Sequence, residues 1–131
     1  MRKLNDHIVE GDSANHQLTI TVEDEPGQGG ANHRYIIDGY DTHNNPAAFG
    51  ADYTGLTVIF QNGPIKEVGV NGVTHEALLA ILIDRLRSFQ AGPYSNRANA
   101  IALTHLEEAL MWLQQRTRER IKRGVEGTHN K

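Results

Sequence analysis

Between residues 74 and 123 the apolar side chains recur at helical spacing in two blocks, interrupted once, at Ala91-Gly92-Pro93. In the first block Leu78, Leu82, Leu86 and Phe89 share a face that Ala77, Leu79 and Ile83 widen, which predicts an amphipathic helix. Thr74 stands where an N-cap belongs, with Glu76 in the first turn, where its charge complements the helix dipole. Glycine followed by proline stops this helix, and a second starts after Ser95 or Asn96 and runs to about Arg123, ending at Gly124. Two long helices joined by so short a turn form an antiparallel hairpin. Ala102, Leu106, Ala109 and Leu113 follow a 4-3-4 spacing and predict a narrow seam that faces the first helix or a partner hairpin. Leu103, Leu110 and Trp112 fall off that seam, so a second apolar stripe requires a second neighbour, either a sheet or another subunit.

The first half of the chain carries strand signals instead. Residues 18–22, 33–40 and 56–61 are rich in β-branched and aromatic side chains, and Asn62-Gly63 marks a tight turn after which residues 65–70 read as a fourth strand. Residues 41–54, rich in Asn, Gly, Pro and Asp, form a long loop of the kind that often serves function. Residues 1–15 are polar and aperiodic and read as a flexible tail. The expected fold is therefore α+β: one domain over residues 16–131, with an antiparallel sheet at 16–73 and the helical hairpin at 74–131. With 131 residues and only 6% aromatics, the core of a lone subunit is small, and an oligomer is expected.

Several classes of function are disfavoured at once. The longest unbroken apolar run is the seven residues 77–83, too short for a membrane span, and the N-terminal Met-Arg-Lys is followed by no apolar stretch of a secretory signal. The absence of cysteine removes disulfides, thiolate zinc sites and cysteine nucleophiles, and a cytosolic setting follows. Gly27-Gln28-Gly29-Gly30 starts like a dinucleotide fingerprint, but Asn32 replaces the third glycine and a strand follows, which leaves a flexible loop. His105 and Glu108 have ligand-like helical spacing but no second pair, so a solvated histidine is the simpler reading and no metal is assigned. Glu107 and Glu108 point to different sides of a helix, and no nucleophile elbow, P-loop or His-Glu-x-x-His is present. No catalytic residue and no cofactor is expected.

The net charge of −3 conceals an asymmetry. Up to residue 60 three cations face nine carboxylates, whereas from Gln114 onward Arg116, Arg118, Arg120, Lys122, Arg123 and Lys131 face only Glu119 and Glu126. Arg116, Arg120 and Arg123 are spaced i, i+4, i+7 and project from one face, where guanidiniums can converge on one anion through bidentate bonds to phosphate or stack on a base. The same pattern also fits a solvated helix end whose cations complement the dipole. A structural protein gripping nucleic-acid phosphates nonspecifically with this basic end is the competing function.

The stretch Glu67-Val68-Gly69-Val70-Asn71-Gly72-Val73-Thr74-His75-Glu76-Ala77-Leu78, within residues 60–81, resembles the phage Thoeris anti-defence family. The likeness continues through Asp84-Arg85-Leu86 and Phe89-Gln90 to Leu106-Glu107-Glu108-Ala109-Leu110-Met111-Trp112-Leu113, Arg116-Thr117-Arg118 and residues 124–129, and spans about residues 18–129. The hairpin also resembles the phage anti-CBASS sponge proteins. The resemblance implies a non-enzymatic sponge that holds glycocyclic ADP-ribose intact, together with cyclic dinucleotides and, at separate sites, cyclic trinucleotides. It implies a homohexamer built from dimers, acting in the cytoplasm of the infected or lysogenic host, with no membrane or specific nucleic-acid partner. By position in the motifs, Phe89 resembles the family's base-stacking aromatic, Asn99 its polar contact, and Arg116 with Arg120 its phosphate-binding pair, with Arg97, Thr104 and Arg123 as further contacts. His105 stands where many relatives carry lysine, and because histidine as a residue type is mostly neutral near pH 7, a site relying on that charge is expected to be weaker.

Overall fold

The computed structural model describes all 131 residues. The chain forms two compact units, Met1–Asn62 and Gly63–Lys131.

The first unit is a four-stranded antiparallel meander of β1 (Arg2–Leu4), β2 (Thr19–Val22), β3 (Arg34–Asp38) and β4 (Gly55–Ile59), in that spatial order. Val22 lies opposite Arg2 and Tyr35, and Tyr35 opposite Val58, while Ile20 lies opposite Leu4 and Ile37, and Ile37 opposite Leu56. Because side chains alternate along a strand, these positions share one face, apolar except for Arg2 at its edge, and Val22, 1% exposed, is its centre. Tyr35 and Phe60 meet edge to face at 5.6 Å on the same side.

Two expectations are corrected here. The fourth strand is not residues 65–70 but Arg2–Leu4, inside the segment read as a flexible tail. Its three residues are too few to show periodicity, yet pairing with β2 satisfies their backbone groups. Residues 65–68 instead form a helical turn, α1 (Ile65–Val68), because extended Pro64 starts it, the amide of Gly69 donates to Ile65 O at 2.8 Å, and Gly69, at φ +75°, ends it. The amide of Lys66 donates to Gly127 O at 2.9 Å, so the C-terminal segment takes a donor that a strand would have needed.

The glycine-rich loop is ordered by its neighbours. The Asp24 carboxylate accepts from the amides of His33 and Arg34 at 2.9–3.1 Å, and the Gly27 amide donates to Ala31 O at 2.8 Å. His33 is buried beneath this loop. The long loop at 41–54 is likewise folded on itself: the Thr42 amide donates to Tyr53 O, and the Tyr53 amide donates to Thr42 Oγ1.

The second unit holds the hairpin of α2 (His75–Gln90) and α3 (Arg97–Lys122), which pack together. Thr74 Oγ1 accepts from the Ala77 amide at 3.1 Å, and Asn96 Oδ1 from the Asn99 amide at 2.8 Å, so both helices start on the capping residues the sequence offers. The Gln90 side chain closes the turn by donating to Asn96 O and accepting from its amide. Ile83, 2% exposed, is the buried centre. On α3 the partly sheltered positions Asn99, Leu103, Leu106, Leu110, Leu113, Thr117 and Arg120 follow alternating steps of four and three, with Glu107 sheltered beside them. The seam therefore keeps Leu106 and Leu113 but passes through Leu103 and Leu110, not through exposed Ala102 and Ala109, because a leucine buries far more apolar area than an alanine.

Candidate functional site

Where α2 turns into α3, Ile81, Asp84, Arg85, Ser88, Phe89 and Tyr94 line an open concavity of about 600 Å³. Its size and mixed lining are those of a small-molecule site. Phe89 is half-buried, so one part of the ring is held by packing while another faces the concavity. The guanidinium of Arg85 lies over this ring, Cζ 4.9 Å from the centroid, in cation–π geometry. Arg87, two residues on, is spent on Glu107 at 2.7 Å across the hairpin.

The expected ligand-binding residues fall at both ends of the hairpin. Asn99 stands half-buried in the first turn of α3, close in sequence to exposed Arg97. Thr104 is exposed and its hydroxyl donates back to Ala100 O at 3.1 Å. Arg116, Arg120 and Arg123 lie near the other end of α3. The 19 residues from Arg97 to Arg116 correspond to about 28 Å of helix, so one chain does not bring the two groups together.

The three arginines are not equivalent, which amends the expectation of three guanidiniums converging freely on an anion. Arg120 donates from Nη1 to Asn130 O at 2.6 Å and from Nη2 to Val125 O and Thr128 O, both at 3.0 Å. Arg123 donates to Lys131 O at 2.7 Å. Both wrap the C-terminal segment over the end of α3, where backbone carbonyls lack helical donors. Arg116 is exposed and has no such partner.

The role of the C-terminal segment escaped the sequence reading, because carbonyl acceptors carry no residue signature. So did Arg85 and Tyr94 as site residues; the i, i+4 spacing of Arg85 and Phe89 was the available signal. No three His, Asp or Glu side chains cluster closely enough to hold a metal ion, and no helix is long and apolar enough to cross a membrane.

A small antiparallel meander followed by a two-helix hairpin, with an aromatic concavity at the hairpin turn and arginines at the far end, defines an α+β hairpin protein. Residues 53–118 match the family model described as the Acb2/Tad1 hairpin domain, and the chain belongs to that family. Over 82 residues it is 56% identical to Thoeris anti-defense 1 of Bacillus phage SBSphiJ7, the alignment covering 61% of this chain and 58% of that relative.

Proposed function

We propose that this chain is a phage anti-defence sponge that binds glycocyclic ADP-ribose, and cyclic dinucleotides and trinucleotides of CBASS signalling, and holds them without cleavage in the bacterial cytoplasm. The observation that carries the reading is the concavity around Phe89, which offers an aromatic platform of nucleotide size inside a hairpin of this family. A cyclic nucleotide presents a base, ribose hydroxyls and phosphates. Phe89 matches the base by stacking, Asn99 the hydroxyls, and Arg116 the phosphates, with Arg120 joining it where the C-terminal segment yields. Arg97, Thr104 and Arg123 are the outer contacts. No nucleophile or acid–base pair was found in the sequence, and retention rather than turnover is the expected chemistry.

The separation of the two groups along α3 gives the site a shared character: the aromatic end of one subunit meets the arginine end of another, in a homo-oligomer, a hexamer by the family resemblance. Exposed apolar side chains on the hairpin, Ile81 at 64%, Leu82 at 49% and Trp112 at 64%, supply surface for such assembly. Calorimetry against a panel of cyclic nucleotides tests the reading. Saturable binding at physiological salt, with the ligand recovered intact after heat denaturation, is expected. Binding confined to duplex DNA and abolished by added salt would instead favour the competing role of the exposed cations Arg116, Arg118 and Lys122 as a nonspecific phosphate grip.

A further inference from the structure

We infer that Arg85 is a ligand-binding residue of the aromatic end, supplying that end with its own phosphate contact while holding the Phe89 ring in place. The inference rests on the sponge reading and concerns the same concavity.

Three observations converge on it. Arg85 and Asp84 are the single cation and the single carboxylate among the residues lining the concavity. Without Arg85 this surface would therefore carry net negative charge, hostile to any phosphate-bearing ligand. Second, the Arg85 guanidinium bonds to no carboxylate or carbonyl, in contrast to Arg87 on Glu107 and Arg120 on three carbonyls. Its contact is the Phe89 ring, 4.9 Å from Cζ to the centroid, and its N–H donors meet no protein carboxylate or carbonyl. Third, arginine and aromatic ring stand one helical turn apart on α2, so the pair is built into a rigid element and does not depend on a loop.

The chemistry follows from this geometry. With a base against Phe89, the unsatisfied N–H donors of Arg85, one helical turn away on the same concavity, are placed to bind a phosphate of the same nucleotide. A ligand with two phosphates is then held by Arg85 of one subunit and by Arg116 of the subunit whose arginine end meets it. This accounts for a carboxylate lining an anion site: Arg85 offsets Asp84, which remains available as an acceptor for hydroxyl or amino donors.

The test is titration of glycocyclic ADP-ribose by calorimetry into the assembled wild-type, Arg85→Met, Arg85→Lys and Phe89→Ala proteins, at low and high salt. Arg85→Met keeps side-chain bulk and removes the charge. Loss of roughly tenfold to a hundredfold in affinity is expected, with a weaker salt dependence than wild type. Arg85→Lys, which keeps the charge but not the planar fork, should recover part of the affinity and the wild-type salt dependence. A purely structural role would lower affinity without changing the salt dependence, and thermal unfolding of each variant identifies misfolding. Wild-type affinity and salt slope in a folded Arg85→Met protein would overturn this role of Arg85 and leave the sponge reading standing. Failure of the wild type to bind any cyclic nucleotide would overturn both.

Discussion

Arg116 and Arg120 stand one helical turn apart, yet they are in different chemical states. Arg120 spends at least three of its N–H donors on the carbonyls of residues 125, 128 and 130, while Arg116 retains all five. Substituting them should therefore separate two effects. Arg120→Met is expected to loosen the C-terminal segment, raising hydrogen exchange at the Thr128 amide, which now donates to Val125 O at 3.1 Å, and at the Asn130 amide. Arg116→Met should leave that exchange unchanged and weaken ligand binding by roughly tenfold or more. Equal protection in both variants would show that the segment does not depend on Arg120. In the sheet unit, the Asp24 carboxyl is a group whose charge state is tied to structure. Partial burial works to raise its pKa, but the amides of His33 and Arg34 outweigh this and hold it below its ordinary value. A carboxyl whose pKa is depressed in the folded state contributes stability above its unfolded value and loses it as pH falls through the folded one. An NMR titration of the His33 and Arg34 amides should accordingly show a midpoint below the ordinary aspartate value, and Asp24→Asn should abolish that step. A midpoint at or above the ordinary value would contradict the assignment.

The hairpin is the element most legible in the sequence, and its errors have physical causes. Thr74, Asn96 and the Gly-Pro stop place both helices within a residue or two, because capping and helix breaking are local chemistry. Spacing alone allows several apolar stripes on a helix as long as α3, and alanine counted as heavily as leucine in drawing the seam; packing weighs them by buried area. The sheet was legible where strands are long. Its edge strand, Arg2–Leu4, becomes a strand only through its pairing with β2, and the helical turn at Ile65–Val68 takes part of its support from Gly127 far along the chain. Of the candidate site, the arginines of α3 are legible in their spacing, Phe89 and Asn99 only through family likeness, and the place of Arg85 over the Phe89 ring only in the structure. Element-scale stability can be checked at two positions. Thr74→Ala removes the α2 cap and should cost about 1 kcal/mol, and Ile83→Ala empties the hairpin centre at about 2–5 kcal/mol, both read from denaturant unfolding. In the sheet unit a Cβ on Gly39, at φ +95°, would stand 2.0 Å from Gln17 O, so Gly39→Ala should destabilise that unit alone. Ile83→Ala costing less than Thr74→Ala would mean that the hairpin is not held by its seam.

At the scale of the molecule, surface is the main fact. The chain exposes 9759 Å², whereas two separate compact units of half its mass would together expose roughly 8,300 Å². Only Val22 and Ile83 among the apolar side chains are buried, while Met111, Trp112 and Ile121 on α3 are each at least half exposed. Chains with so little interior gain stability by burying such faces against further copies, and the hairpin offers a reason for assembly beyond stability. Phe89 lies beside the turn of the hairpin and Arg116 about 28 Å along α3 from Arg97 at that turn, so a ligand touching both would lie between subunits. Sedimentation should therefore show an oligomer at tens of micromolar, and a monomer there would remove the basis for a shared site. The sharper test uses two assembled variants, Phe89→Ala and Arg116→Ala, each expected to bind at least tenfold more weakly than wild type. After subunit exchange, some sites combine the intact Phe89 of an Arg116→Ala chain with the intact Arg116 of a Phe89→Ala chain. A fraction of wild-type-affinity sites should then reappear in the calorimetric isotherm, although neither parent has any. Exchange is verified independently by mixing labelled subunits and following energy transfer between them. If exchange occurs and no strong sites return, each pocket belongs to a single chain, and Arg116 acts elsewhere than on the ligand that Phe89 stacks.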